Sequence, residues 1–266
     1  VSDNTLTINL STSLSDGLYQ LLLPADSIKD TAGNALAADA NFSFLFVADG
    51  DTWSMPAGAH SYYVNQLVIG AGSTLDMTDN ALAVAGGDLG SWNGSAYTGL
   101  TGMIQSGQGT NHQWNGVGIV TSTSQAASGN AGIGIGSANA IFGLSGGSTV
   151  WDGLTVTGTD VLLRYTFPGD ANLDGLLNGD DYFNIDSHVN QNGSVFGYYN
   201  GDFNYDGRIN GDDYFLIDSN INSSGNNQAQ SPAALAGLFS MTTIDKKPDA
   251  DASTNPNAAI DALLSA

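Results

Sequence analysis

Two acidic segments of this chain repeat the same spacing of oxygen-bearing side chains. Residues 169–183 read GDANLDGLLNGDDYF, and residues 201–215 read GDFNYDGRINGDDYF, so that eleven of the fifteen positions are identical. The side chains concerned are those of Asp and Asn, which offer carboxylate and amide oxygens. Such oxygens are the ligands that hard cations prefer in proteins. The repeated spacing therefore indicates cation binding at two equivalent places.

We number the first loop from Asp170 as position 1 and the second loop from Asp202 as position 1. Each loop has side-chain oxygens at positions 1, 3, 5, 9 and 12, a Gly at position 6 for the sharp turn, and a backbone carbonyl available at position 7. Ca²⁺ takes about six to eight oxygen ligands, and this order of ligands can surround one ion. We predict two Ca²⁺ sites. The ligands are Asp170, Asn172, Asp174, the Leu176 carbonyl, Asn178 and Asp181 in the first site, and Asp202, Asn204, Asp206, the Arg208 carbonyl, Asn210 and Asp213 in the second.

The alternative interpretation is a pair of Asp- and Asn-rich turns that hold no metal. Two copies that agree at every ligand position argue against it. Ten of the 26 acidic residues also lie between Asp170 and Asp218, where they would repel one another without cations.

Apolar residues at helical spacing follow each loop. They are Tyr182, Ile185 and Val189 after the first loop, and Tyr214, Ile217 and Ile221 after the second. We expect two short helices that pack on each other, with Leu177 and Ile209 meeting across the loops.

The segment from about 168 to 224 resembles a type I dockerin domain, on the motifs GDANLDGLLNGDDYFNID and GDFNYDGRINGDDYFLID. The Asp at position 12, in place of the Glu of calcium-sensor loops, fits the dockerin pattern. The resemblance implies a small α-helical domain with EF-hand-type loops, calcium-dependent folding and, in cellulose-degrading assemblies, docking to a cohesin receptor. The helix positions that recognise cohesin vary within the family, so a cohesin-like receptor stays one alternative here.

Composition restricts the other possible functions. The chain has 266 residues, 26 acidic against 5 basic ones, a net charge of −21 and no Cys. This balance argues against nucleic acid, which requires clustered Lys and Arg, and against anionic membrane surfaces. No apolar run is long enough to insert in a membrane. No signal-peptide pattern is present, and we expect Val1 to begin a mature or trimmed chain.

The sequence offers no catalytic set and no cofactor site other than the two calcium loops. His60, His112 and His188 lie in no metal-binding or catalytic motif, and without Cys there is no thiol nucleophile. We therefore predict that the protein is not an enzyme.

The remaining segments are expected to be mainly β. Residues 1–49 alternate like strands, with Leu6, Ile8 and Leu10 on one face. The motifs LSDGLYQLLL, SIKDTAGNALA and FSFLFV resemble the C-terminal half of a bacterial Ig-like module. Half a sandwich leaves a sheet edge uncovered. Either the next domain or another copy of the chain is expected to cover it.

Residues 50–167 carry short strands at a spacing of seven to eight residues, which predicts a small sandwich or a solenoid-like stack. The motifs NQLVIGAGSTLDM, WNGVGIVTSTSQAA and DVLLRYTFPGDANLDG resemble exported surface proteins of planctomycete-type bacteria. This resemblance implies an extracellular or cell-surface location. Residues 225–266 form a polar C-terminal tail, in which AALAGLF and NAAIDALL could be short helices. We expect this tail to be held by docking on its own body or on a neighbouring subunit.

Three functions remain open. The first is a calcium-stabilised extracellular structural protein that assembles with copies of itself into a filament or matrix, with strand or tail exchange as a possible contact. The second is a dockerin-type anchoring module for a cohesin-like receptor. The third is a surface protein that binds glycans through its Trp residues, which are Trp53, Trp92, Trp114 and Trp151.

Overall fold

The computed structural model describes residues 13–224, except residues 30, 31, 111 and 192. The strands are β1 (Gly17–Leu23), β2 (Ala40–Val47), β3 (Thr52–Ser54), β4 (Ser61–Val64), β5 (Gln66–Ile69), β6 (Thr74–Asp76), β7 (Ala81–Val84), β8 (Gly118–Val120), β9 (Gly132–Ser137), β10 (Ser148–Trp151), β11 (Leu154–Thr157) and β12 (Val161–Thr166). The α-helices are α1 (Gly99–Gln108), α2 (Ser124–Ala127), α3 (Ala138–Phe142), α4 (Gly179–His188) and α5 (Gly211–Ser224), and two 3₁₀-helices span Val189–Gln191 and Tyr198–Asn200. The prediction of a mainly β chain is confirmed.

Strands from successive windings of the chain stack in parallel. β5 lies beside β2, β6 beside β3, and β7 beside β4, and β8 adds a third parallel strand to β6. Thr52 stands opposite Thr74, an interval of 74 − 52 = 22 residues, and Ser61 stands opposite Ala81, an interval of 81 − 61 = 20 residues. Of the two arrangements expected for residues 50–167, these ladders match the solenoid-like stack.

The stack is closed by antiparallel strands from later in the chain. β12 pairs with β7 on one side and with β9 on the other, which gives a four-stranded sheet in the order β4-β7-β12-β9. β10 and β11 form a hairpin whose two turn residues, Asp152 and Gly153, both have positive φ, as a type I′ turn requires. Strand β12 therefore has a hydrogen-bonded strand on each side. Consecutive side chains from Val161 to Arg164 are all buried, so both faces of this strand are covered.

The N-terminal hairpin is continuous with this stack. β1 and β2 pair antiparallel, and β5 extends their sheet on the other side of β2. The next region thus supplies a strand to the segment that resembles half an Ig-like module. Within the described residues, β1 pairs with β2 alone. The strand predicted around Leu6, Ile8 and Leu10 lies outside the described residues, as does the predicted C-terminal tail, 225–266.

A single hydrophobic core joins the strands to the acidic repeat. Fully buried side chains run from Leu45 and Leu82 in the strands to Leu173 and Ile217 in the repeat, all in one contact cluster. We call the part from Gly17 to Thr166 the β body and the part from Gly169 to Ser224 the loop pair. No helix among the described residues is long and apolar enough to cross a membrane.

Candidate metal centre

The position-1 carboxylates lie at the centre of their loops and are fully buried. Asp170 Oδ1 accepts a hydrogen bond from the Asp174 N–H at 3.1 Å, and Oδ2 accepts one from the Gly175 N–H at 2.9 Å. In the second loop, Asp202 accepts the equivalent bonds at 3.1 Å and 3.0 Å. Each loop therefore folds back over its first carboxylate in the same way.

The position-12 carboxylates close the loops from the other end. Asp181 accepts hydrogen bonds from the N–H groups of Ala171 at 2.9 Å and Asn178 at 3.0 Å, and Asp213 accepts the equivalent pair at 2.8 Å and 3.0 Å. Asn178 is the N-cap of α4, and Asp181 completes a capping box with it. The first turn of each following helix is thus anchored to the loop that precedes it.

Positions 3, 5 and 9 form side-chain turns around the same centre. The Asp174 N–H donates to Asn172 Oδ1 at 3.0 Å, and the Leu176 N–H donates to Asp174 Oδ1 at 2.8 Å. The second loop repeats both bonds, at 2.9 Å and 2.8 Å. The two loops also agree in the burial of equivalent side chains. In both loops the side chains at positions 5 and 7 are exposed, and those at positions 1 and 12 are buried.

Position 4 of each loop has a left-handed backbone, with φ of 56° at Leu173 and 61° at Tyr205. Both side chains are buried, Leu173 at 0% and Tyr205 at 1% exposure. A left-handed backbone at a bulky residue costs on the order of 1–3 kcal/mol and persists only where the surroundings determine it. The packing of these two side chains therefore holds the loop turns in place.

The glycine that precedes each loop lies against the helix of the other repeat, so the two repeats cross at these glycines. A Cβ atom on Gly169 would lie 2.7 Å from the Cβ of Ile217, and one on Gly201 would lie 2.8 Å from the Cγ1 of Ile185. Each loop thus starts directly against the helix of the other repeat. The hydroxyl of Tyr182 donates to Asp218, and reciprocally that of Tyr214 donates to Asp186.

The β body contacts both loops at equivalent positions, which the sequence did not reveal. Hydroxyls donate to the position-1 carboxylates, Thr166 to Asp170 and Tyr97 to Asp202. The partners in the second pair are 105 residues apart, so no local pattern points to them.

Carbonyls at position 4 are also held by the β body. The Leu173 carbonyl accepts from Trp151 Nε1 at 3.0 Å and Arg164 Nη1 at 3.2 Å, and the Tyr205 carbonyl accepts from Gln105 Nε2 at 2.7 Å. Arg164 is 1% exposed and forms an ion pair with Asp152. The sequence carries one signal for the contact between Arg164 and the Leu173 carbonyl, which is a basic residue within the apolar run VLLRYT.

Burial raises the pKa of all four inner carboxyls. The pKa of Asp170 rises to about 7, mainly through burial, while the Thr166 hydroxyl opposes the rise and the Asp181 carboxylate adds to it. The pKa of Asp202 also rises to about 7, and those of Asp181 and Asp213 rise to about 6, again mainly through burial. The positive charge of Arg164 partly offsets the rise at Asp170, and no basic side chain opposes the rise at the other three carboxyls.

The oxygen atoms of each loop meet what Ca²⁺ requires of its ligands. A carboxylate has about four lone-pair sites, and Asp170 uses three of them on hydrogen bonds, so it retains acceptor capacity. Throughout the described part of the chain, no three Asp, His, Glu or Cys side chains meet closely enough to hold a metal on their own. The predicted sites differ from such a cluster, because each adds two Asn oxygens and a backbone carbonyl. Their all-oxygen chemistry fits a hard cation.

The four Trp residues pack into the protein. Trp114 is 7% and Trp151 4% exposed, and Trp53 and Trp92 are partly buried against the core. Trp92 lies against Gly207 of the second loop and stacks on Phe196. The histidines are dispersed: His112 is exposed, His60 contacts Tyr62 edge-on, and His188 Nδ1 lies 2.7 Å from the Asn184 carbonyl.

Comparison of the chain with protein-family models, with curated proteins and with solved structures finds no match. The dockerin-like and Ig-like resemblances therefore remain predictions from short motifs.

Proposed function

We propose that the chain is a non-enzymatic, calcium-stabilised structural protein of the cell exterior, in which two Ca²⁺ ions hold the loop pair folded. One observation carries the proposal. Four carboxylates are fully buried in two equivalent loops, and none forms an ion pair with a Lys, Arg or His among the residues that the structure describes. These carboxylates are Asp170, Asp181, Asp202 and Asp213.

A buried charge without a partner is costly, on the order of several kcal/mol even after the protein relaxes. The group must then take up a proton or find a cation. Two Ca²⁺ ions would change the net charge from −21 to −17, since each adds +2, and would place that charge beside the buried carboxylates. At a free calcium concentration about 100 times Kd, each independent site would add about 2.7 kcal/mol to the free energy of unfolding.

An exterior location suits such sites. Modules outside the cell are occupied even when their Kd is about 10⁻⁴–10⁻³ M, because calcium is abundant there. The acidic composition and the resemblance to exported surface proteins are consistent with that setting. The loops are followed by short helices joined to each other by reciprocal Tyr–Asp hydrogen bonds, which favours a structural ion over a switch.

Calorimetric titration of the full chain with Ca²⁺ tests the proposal. We expect two ions per chain in the wild type. Asp174→Ala and Asp206→Ala remove exposed position-5 ligands, and each should abolish or strongly weaken one site. Matched controls are Asp180→Ala and Asp212→Ala, which remove exposed acids at position 11, outside the predicted ligand set. Equal losses from ligand and control variants would indicate only a diffuse acidic surface.

Self-assembly into a filament or matrix is the second part of the proposal. It is supported by β1, which forms the end of its sheet within the described residues and presents Leu22 at 50% exposure. Such an edge can accept a strand from another copy. Electron microscopy and light scattering in calcium and in chelator are the test. Monodisperse monomers in calcium at every concentration would exclude assembly.

Receptor binding is the alternative that a specific feature favours. Phe183 and Phe215 occupy the same position on α4 and α5 and are 70% and 69% exposed. Two equivalent exposed aromatic rings could contact a receptor such as a cohesin-like protein. Loss of receptor capture by the Phe183→Ala/Phe215→Ala double variant, with calcium binding retained, would support this function over assembly.

A further inference from the structure

We propose that Tyr97 and Thr166 of the β body are positioning residues for the two calcium sites, one for each loop, so that calcium binding by each loop is coupled to the attachment of that loop to the β body. This inference rests on the proposed function, because it concerns how the same two sites are built.

Each hydroxyl reaches the innermost ligand of its loop. Thr166 ends β12, is 1% exposed, and donates to Oδ2 of Asp170. Tyr97 precedes α1, is 7% exposed, and donates to Oδ2 of Asp202. The direction of the second bond is supported by Gly197, whose N–H donates to the same Tyr97 oxygen at 2.8 Å.

The two bonds act on equivalent atoms although the donors have nothing else in common. Oδ2 of Asp170 also accepts the Gly175 N–H, and Oδ2 of Asp202 also accepts the Gly207 N–H. A second donor on the same oxygen fixes the rotation of the carboxylate and thereby directs its remaining acceptor capacity. Partners that orient a metal ligand in this way typically contribute 10–100-fold to metal affinity.

Other contacts make the same connection through the loop backbone. The Gln105 side chain accepts the Tyr97 N–H at 2.9 Å and donates to the Tyr205 carbonyl at 2.7 Å, which links α1 to position 4 of the second loop. Trp151 Nε1 holds the position-4 carbonyl of the first loop, at Leu173. The β body thus holds both copies of the repeated loop at the same two points, through donors that are not themselves repeated in sequence.

The test is calcium titration of the full chain carrying Tyr97→Phe or Thr166→Val, which remove only the hydroxyl in a side chain of similar shape. We expect each variant to weaken one site by about 10–100-fold and to leave the other site unchanged. Thr166→Ser retains the hydroxyl and should bind like the wild type. Tyr182→Phe is the matched control, because its hydroxyl donates to Asp218 on the opposite helix and contacts no predicted ligand.

Wild-type affinities at both sites in folded Tyr97→Phe and Thr166→Val proteins would overturn the inference and leave the proposed function standing. A wild-type chain that binds no calcium would overturn both. Hydrogen exchange of the wild-type protein provides a readout that needs no variant. Calcium should slow exchange in α1 and β12 together with the loops, and protection confined to the loops would also overturn the inference.

Discussion

Asp170 and Asp202 each accept hydrogen bonds from their own loop and from the β body while being fully buried. For these two residues, the main energetic question is how the charge of a buried carboxylate is neutralised. A buried carboxyl can be stabilised by a proton or by a cation, and the two compete for the same oxygens. Stability should therefore fall with rising pH in the absence of calcium, and should not fall when calcium is bound.

The first prediction concerns the metal-free protein. Burial raises the pKa of Asp170 and Asp202 to about 7, whereas an unfolded Asp has a pKa of about 3.9. The folded state then binds these protons more tightly than the unfolded state does. Their contribution to stability is fully present below about pH 4 and is lost as the pH rises through about 7.

Thermal unfolding in chelator should therefore show a Tm that falls between about pH 5 and pH 8. With saturating Ca²⁺ the carboxylates are held ionised, and the Tm should no longer fall over the same range. General repulsion among the acidic residues acts both in chelator and in calcium. The difference in the pH dependence of Tm between these two conditions therefore reports on the loops. A Tm in chelator that is constant or rises with pH would contradict the prediction.

The second prediction concerns the buried ion pair beside the first loop. Arg164→Ala leaves Asp152 buried without its partner and should lower the free energy of unfolding by about 3–5 kcal/mol. Arg208→Ala is the matched control, because that side chain is exposed and only its carbonyl is a predicted ligand. Its effect should stay within about 0.5 kcal/mol. Urea denaturation in calcium measures both, and equal effects would show that Arg164 has no special role.

The equivalence of the two loops could be predicted because its signal is local, whereas their calcium ligands stay a prediction. Positions 1 to 12 lie within one short segment, and two copies of it confirm the spacing. The donors on the β body could not be predicted, since Tyr97 and Asp202 meet only after the whole stack has formed. Arg164 was detectable in principle as a charge inside an apolar strand.

At the scale of elements, each of the two short helices lies against the glycine that precedes the loop of the other repeat. Gly201 has φ of 112° and lies against Ile185, while Gly169 has φ of 107° and lies against Ile217. A left-handed backbone and a neighbouring branched side chain both disfavour a Cβ at these positions. The glycine before each loop is therefore required by the opposite helix.

The third prediction follows from this crossing. Gly201→Ala should lower the free energy of unfolding by at least about 1–3 kcal/mol through backbone strain, with the contact against Ile185 adding to it. Gly211→Ala is the control, since it lies at the start of α5, where an added Cβ would meet open space. That change should be neutral or stabilising by up to about 1 kcal/mol. Similar destabilisation by both would argue against the crossing.

Strand positions were easier to predict than strand partners. Alternating residues indicated β1 and β2, and the short interval between apolar pairs indicated the later strands. The parallel pairing of β2 with β5 depends on a winding of the whole chain, which periodicity alone does not specify. For the same reason, the expected choice between a sandwich and a stack stayed open until the ladders were known.

At the scale of the molecule, the β body and the loop pair share one core. Leu173 and Ile217 of the loop pair belong to the same cluster as Leu45 and Leu82 of the β body. The composition of the sequence changes near residue 167, which predicts a domain boundary there. The contacts across that boundary imply that the two parts should unfold together.

The fourth prediction is that calcium stabilises the whole molecule. Two sites at a calcium concentration about 100 times Kd add about 2 × 2.7 kcal/mol, which corresponds to a rise in Tm of about 10–20 °C for a chain of this size. Differential scanning calorimetry of the full chain in excess Ca²⁺ and in chelator measures this most directly. A single transition that moves to higher temperature by about that amount in calcium is the expected result. An unchanged Tm, or a calcium shift in only one of two separate transitions, would contradict a calcium-stabilised structure built from both parts.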